Sequence, residues 1–184
     1  MNININFESL RDNLVYVIKE SQIKLGYTPN AVRLNYPLDS LNRFFGTNLD
    51  KEGMQATLSE FVDYVKDELG EIEISEFEGM FTLIVPPQGA QFVHENIKDS
   101  GFLTELIELL KNAGHAITIA DILVVFNKYS DKVKCVETKN NDEFNYVVWF
   151  EDGKPDNFKY CIHIDLGHAI YHRLAPQDFE AYGF

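Results

Sequence analysis

Twice along this chain, helical segments lead directly into a β-ribbon, and this order limits the folds that the sequence can adopt. In the first half, apolar periodicity predicts a helix, a strand, two further helices and a two-stranded ribbon across residues 7–85. The ribbon is predicted as Glu71–Phe77 and Met80–Val85, because isoleucines alternate with glutamates along its first strand. This element order is typical of a winged helix-turn-helix.

The helices are predicted from apolar side chains that recur at helical spacing. The first spans residues 7–25 and the second is a short helix over 38–45 that closes at Gly46. The clearest stripe is Met54, Leu58, Phe61, Val62, Val65 and Leu69. Asp50 is a good N-cap for that helix, and Gly70 follows its last turn.

The second half repeats the theme in element order only. Helices are predicted over residues 88–97, from Phe102 to about Leu110 and from Thr118 to about Tyr129, where Thr118 and Asp121 form an imperfect capping box. Four strands follow, with turns such as that at residues 140–142. They are Val133–Thr138, Phe144–Glu151, Phe158–Asp165 and His168–Leu174.

These patterns predict an α+β fold in two parts. Residues 1–87 form a winged-helix-like unit, and residues 88–184 form helices followed by an antiparallel β-meander, with a second winged-helix-like unit as an open alternative. We expect the two parts to pack as one compact body, because no Gly/Ser-rich or long polar linker separates them.

The composition is acidic. The chain has 184 residues, with 29 acidic and 16 basic side chains and a formal net charge of −13. This charge repels polyphosphate and anionic membranes, so a partner with a basic or apolar surface is favoured and a nucleic acid is not. The 2 cysteines are too few for a disulfide framework, and no apolar run is long enough to cross a bilayer. A cytoplasmic location away from membranes is therefore expected.

Binding to DNA is the weakest of three functional hypotheses. A helix-turn-helix would place the helix over 54–69 in the major groove, where carboxylates oppose the phosphates. From Met54 to Val85 one lysine, Lys66, faces eight acids, which leaves a local charge of −7. The acids are Glu60, Asp63, Asp67, Glu68, Glu71, Glu73, Glu76 and Glu78.

A second hypothesis places a metal site or an enzyme near the C-terminus. Residues 158–164 alternate apolar side chains with polar ones, and a two-residue loop at Leu166-Gly167 would bring five potential ligands to one sheet face. They are Cys161, His163, Asp165, His168 and His172. Cysteine, imidazole and carboxylate ligands suit Zn²⁺ or another transition metal. The same residues also admit a nucleophile set of Cys161, His172 and Asp165, or a polar, partly exposed sheet face without chemistry.

No glycine-rich nucleotide loop, phosphate-binding loop or nucleophile elbow occurs in the sequence, so no cofactor is predicted. Three segments resemble those of an uncharacterised bacterial family, a domain of unknown function: Val32–Leu38, Phe150–Pro155 and Tyr171–Arg173. The resemblance covers nearly the whole chain and implies a complete bacterial protein, but it brings no activity and no catalytic residue. The leading hypothesis is a non-catalytic protein-interaction module on a winged-helix-like scaffold, of open oligomeric state.

Overall fold

The computed structural model describes residues 5–112, 114, 116–139 and 143–180, so the turn expected at residues 140–142 lies outside the described residues. The helices are α1 (Phe7–Leu25), α2 (Leu38–Phe45), α3 (Lys51–Leu69), α4 (Pro87–Asn96), α5 (Phe102–Asn112), α6 (Ile119–Tyr129) and α7 (Pro176–Phe179). The strands are β1 (Val32–Pro37), β2 (Glu73–Phe77), β3 (Met80–Val85), β4 (Val133–Glu137), β5 (Tyr146–Phe150), β6 (Lys159–Asp165) and β7 (His168–Leu174). Helices and antiparallel sheets confirm the predicted α+β class.

The chain divides into two compact units, Met1–Lys98 and Asp99–Phe184, called unit 1 and unit 2. Helix α4, which the sequence analysis assigned to the second part, contacts α1, α3 and β3 and so lies in unit 1. A domain boundary after residue 87 and the packing of both parts as one body stay predictions. No helix within the described ranges is both long enough and apolar enough to cross a lipid bilayer.

Unit 1 contains an antiparallel sheet with the strand order β1-β3-β2. Its inner face is apolar and packs with the helices, because alternate residues of each strand point to the same side. The fully buried side chains of unit 1 include Leu10, Leu14, Ile18, Leu41, Phe45, Met54, Leu58, Phe61 and Phe81. The element order of unit 1 agrees with the prediction. The assignment of unit 1 to the winged-helix class of folds stays a prediction.

The turn between α2 and α3 is held by Asn42, whose side chain is buried. Its Oδ1 accepts hydrogen bonds from the Leu49 N–H and the Thr47 hydroxyl, both at 2.8 Å, and its Nδ2 donates to the Leu49 carbonyl at 2.9 Å. Gly46 adopts the left-handed conformation that ends α2, with φ 69°. Asp50 then caps α3 by accepting a hydrogen bond from the Gly53 N–H. Side-chain hydrogen bonds therefore set the direction of α3.

Unit 2 contains the antiparallel sheet β4-β5-β6-β7, which packs with α5 and α6 through aromatic rings. The ring of Phe102 in α5 lies 4.8 Å from Phe126 in α6, 5.0 Å from Phe150 in β5 and 5.5 Å from Tyr160 in β6, measured between centroids. Phe102 meets the other three rings edge to face, and Phe126 meets Tyr160 in the same way, which is the arrangement that the ring quadrupoles favour. Phe126 and Phe150 are stacked. These four rings form the aromatic core of unit 2.

Candidate interaction surfaces

The outer face of the unit 1 sheet is built from three cross-strand rows. Each row has one residue from β1, one from the central strand β3 and one from β2. The rows are Arg33/Ile84/Glu73, Asn35/Thr82/Ser75 and Pro37/Met80/Phe77. All six residues from β1 and β2 are exposed, and so is Met80, so the other elements of unit 1 leave this face uncovered.

One row of this outer face is apolar and exposed. Phe77 and Met80 flank the tip of the β2–β3 ribbon, and their exposed fractions are 74% and 42%. Pro37 completes the row on β1. The middle row is polar and uncharged, and the Thr82 hydroxyl donates a hydrogen bond of 2.8 Å to Asn35 Oδ1. An apolar end therefore adjoins a neutral polar centre.

Glu76 ties the ribbon to the start of α3. Its Oε1 accepts a hydrogen bond of 2.6 Å from the Gly79 N–H and an ion pair of 2.9 Å from Lys51 Nζ. The backbone hydrogen bond from Gly79 lowers the pKa of this carboxyl most, and the hydrogen bond from Lys51 lowers it further. Lys66, on the same helix, lies 3.5 Å from Glu71. The two lysines of α3 thus face glutamates, and the helix offers no basic stripe to a nucleic acid.

The Cys/His/Asp face predicted near the C-terminus has the predicted strand register. Leu166 and Gly167 form a two-residue turn with φ of 48° and 81°, the two positive values that a type I′ hairpin requires. Cys161 pairs with His172, and Asp165 pairs with His168. His163 lies opposite Ile170 between these two pairs. The five residues therefore share one side of the sheet, as predicted from their alternation.

The structure brings only part of this set together. Cys161 and His172 line a cavity of about 360 Å³ with Glu143, Phe144 and Leu174. Asp165 and His168 are exposed beside the hairpin turn, and the Nδ1 of His163 is buried without a hydrogen-bond partner among the described residues. Among the described residues, which include all five, no three His, Cys, Asp or Glu side chains form a group that could hold a metal ion. A metal site here stays a prediction.

Cys161 is buried mainly among apolar side chains, although its cavity is also lined by Glu143 and His172. The side chain is 1% exposed and packs with Phe144 and Val147, and Trp149 and Phe179 lie against the same cluster. Burial raises the pKa of the Cys161 thiol to about 11. A nucleophilic cysteine requires the opposite shift, toward the thiolate. The geometry therefore favours a packing role for Cys161.

We expect Cys161 to resist alkylation in the folded protein. At pH 8 a thiol with a pKa of about 11 is ~0.1% thiolate, whereas an ordinary thiol with a pKa of about 8.5 is roughly a quarter thiolate. Peptide mass mapping after iodoacetamide treatment should show Cys161 modified at least 100-fold more slowly than in urea-unfolded protein, by the ratio of those thiolate fractions. Equal rates in the two states would contradict the buried, protonated thiol.

Lys159 also lies on this face, although it is not among the five predicted ligands. Its ammonium lies 3.7 Å from the ring centroid of Trp149 and 5.8 Å from that of Phe179. Burial lowers the pKa of Lys159, and the nearby Glu151 carboxylate offsets only part of that shift. The alternation that selected Cys161 also places Lys159 on this face, but nothing in the pattern predicted that α7 would bring Phe179 to it.

Comparison with protein families places nearly the whole chain within one family model. A family model described as a domain of unknown function from an E. rectale gene, DUF3877, matches residues 7–183. No curated protein matches the chain, and no solved structure matches it. The resemblance to an uncharacterised bacterial family is thereby confirmed.

Proposed function

We propose that this chain, which belongs to the DUF3877 family, is a non-catalytic protein-interaction module that binds its partner through the outer face of the unit 1 sheet. The observation that carries the proposal is the exposed apolar row of Pro37, Met80 and Phe77 on this face. Exposed phenylalanine and methionine side chains on adjacent strands remain in contact with water unless another molecule covers them.

The composition of the outer face supports protein binding. Arg33 and Glu73 are its two charged residues, and their charges cancel, whereas the whole chain carries −13. The centres of protein interfaces are poor in charge and rich in aromatic residues, methionine and arginine. Phe77, Met80 and Arg33 belong to these types. The face is thus more like an interface than like a surface that only keeps the chain in solution.

The surroundings of the face indicate the chemistry of the partner. Glu78 at the ribbon tip is an exposed carboxylate beside the apolar row, and Glu73 on β2 is an exposed carboxylate at the other end of the same face. A partner with apolar side chains and at least one basic group would cover the row and pair with a carboxylate. Nucleic acid fits poorly, because these carboxylates would meet phosphates.

Replacing both Phe77 and Met80 by serine is expected to reduce partner binding at least tenfold. Each interface residue of this kind contributes on the order of 1 kcal/mol or more when it is covered, and about 1.4 kcal/mol corresponds to tenfold in affinity. The measurement is quantitative affinity capture from lysate of the source bacterium, with the wild type and the double variant compared at equal loading. Circular dichroism should show an unchanged fold, because both side chains are exposed.

Leu25→Ser provides a matched control, because Leu25 is an apolar residue of unit 1 that is 82% exposed and lies on α1 rather than on the sheet. It should retain every protein that the wild type captures. The proposal fails if the double variant matches the control both in the proteins that it retains and in its association with further copies of the chain. It also fails if the purified protein turns over a metabolite and captures no specific protein.

A further inference from the structure

We infer that the outer face of the unit 1 sheet binds a second copy of this chain, packed face to face about a two-fold axis parallel to β3. The inference rests on the proposed function, because it names the partner of the same surface. It is carried by the strand order β1-β3-β2 and by the placement of opposite charges on the two flanking strands.

The symmetry of the sheet explains why two copies fit. A rotation of 180° about an axis parallel to the central strand exchanges the two flanks, so β1 of one copy lies over β2 of the other. Residues of one row stay at the same height along the strands. Arg33 of each copy therefore lies over Glu73 of the second copy, which gives two symmetry-related ion pairs. Such an interface is isologous, with the same patch on both copies.

The other rows are also self-complementary under this rotation. Met80 meets Met80 of the second copy, and Pro37 meets Phe77, so each apolar row covers the other. Thr82 meets Thr82 in the neutral middle row. Sheets that pack in this way lie about 10 Å apart with interleaved side chains. The apolar row is removed from water without any buried unpaired charge.

Within one copy, the Arg33 guanidinium and the Glu73 carboxylate do not form an ion pair with each other. Ile84 of β3 stands between them, and two strand spacings of ~4.8 Å separate their backbones. Both residues are exposed, and neither forms an ion pair within the described part of the chain. The second copy supplies an opposite charge to each.

The expected association is weak and reversible. The face contributes nine side chains, which is below the ~20 residues per side of a standard interface. Each copy also carries −13, so the copies repel at low salt, and about 0.15 M salt is needed to reduce the Debye length to ~8 Å. Sedimentation velocity over a concentration series up to millimolar protein covers this range.

Charge reversal tests the arrangement on the full chain. Arg33→Glu and Glu73→Arg should each weaken self-association at least tenfold, because each creates two like-charged pairs. The double variant Arg33→Glu/Glu73→Arg should return to the wild-type affinity, because every pair is again opposite. An equimolar mixture of the two single variants should form heterodimers as tightly as the wild type forms homodimers. Lys98→Glu and Glu60→Arg change the net charge by the same amounts at exposed positions off this face, and they should leave the affinity within twofold of the wild type.

A wild-type chain that stays monomeric at millimolar concentration overturns the inference, and so does a double variant that fails to recover affinity. The proposed function is judged separately. If the chain is monomeric while Phe77→Ser/Met80→Ser loses a captured protein of another kind, the face binds that protein and the inference alone fails. If that double variant also keeps every captured protein, the proposed function fails as well.

Discussion

Phe102→Ala is expected to lower the free energy of unfolding of unit 2 by about 4 kcal/mol, the middle of the range for truncating a buried phenylalanine. Phe102 is fully buried, and its ring contacts Phe126, Phe150 and Tyr160. Truncation leaves a cavity that the neighbouring rings cannot fill. The variant therefore loses both the transfer free energy of the buried Phe102 ring and the van der Waals contacts of that ring with its neighbours. The measurement is urea unfolding followed by tryptophan fluorescence. Trp149, in β5 of unit 2, is the one tryptophan of the sequence, so the signal reports this unit.

Phe102→Leu separates the loss of volume from the loss of aromatic contact. Leucine keeps most of the apolar volume, and we expect a cost of about 1.5 kcal/mol, close to the upper limit for swaps that conserve volume. If the leucine variant is as unstable as the alanine variant, the aromatic contacts of Phe102 contribute more to the free energy of unfolding than its volume does. A loss below about 1.5 kcal/mol for Phe102→Ala would contradict a core centred on this residue.

Gly89→Ala is expected to destabilise unit 1 by about 3 kcal/mol, near the upper end of the usual cost of overpacking. A Cβ at this position would lie 2.5 Å from the Leu69 carbonyl oxygen and 2.5 Å from Val85 Cγ1. The carbonyl belongs to the backbone at the end of α3, so it cannot move without displacing that helix from α4. Replacing a glycine inside a helix by alanine usually raises the free energy of unfolding by about 1 kcal/mol, so the change expected here has the opposite sign. Thermal unfolding followed by circular dichroism, with hydrogen exchange to locate the loss in unit 1, measures it.

Gly53→Ala is the matched control, because Gly53 is also a helical glycine of unit 1. Its Cβ would lie 3.2 Å from Asp50 Oδ1, the atom that caps this helix, and a shift of that side chain by a few tenths of an ångström relieves the contact without breaking the capping hydrogen bond of 2.8 Å. We expect no loss of stability and a gain of up to about 1 kcal/mol from helix propensity. Equal losses for the two variants would show that the close approach of α3 and α4 has no energetic consequence.

Local patterns predicted the elements well. Helix α2 begins and ends at the predicted residues, and the capping box at Thr118 and Asp121 is present. The β6–β7 register also agrees with prediction, because the alternation of side chains and a two-residue loop fix it together. These features depend on neighbours within a few positions, so the sequence contains the information needed to predict them.

The burial of Cys161 and the three-stranded outer face of unit 1 depend on contacts between distant segments, and the sequence did not predict them. Cys161 and Asp165 alternate on one face, yet they lie in different rows, so sharing a face does not bring them within reach of one ion. The burial of Cys161 comes from Phe144 and from Phe179 of α7, on segments far apart in sequence. The apolar row at Phe77 likewise depends on the pairing of β1 with β3, which brings Pro37 next to Met80.

The position of β2 at the edge of its sheet bears on how the chain avoids aggregation. An edge strand offers unpaired backbone groups that can recruit strands from further molecules, and this recruitment is the first step toward amyloid fibres. β2 carries Glu73 and Glu76, and stacking identical strands in register would bring like carboxylates together at each step. The edge therefore resists open-ended growth, so molecules that meet through the sheet face can form a closed pair without seeding a fibre.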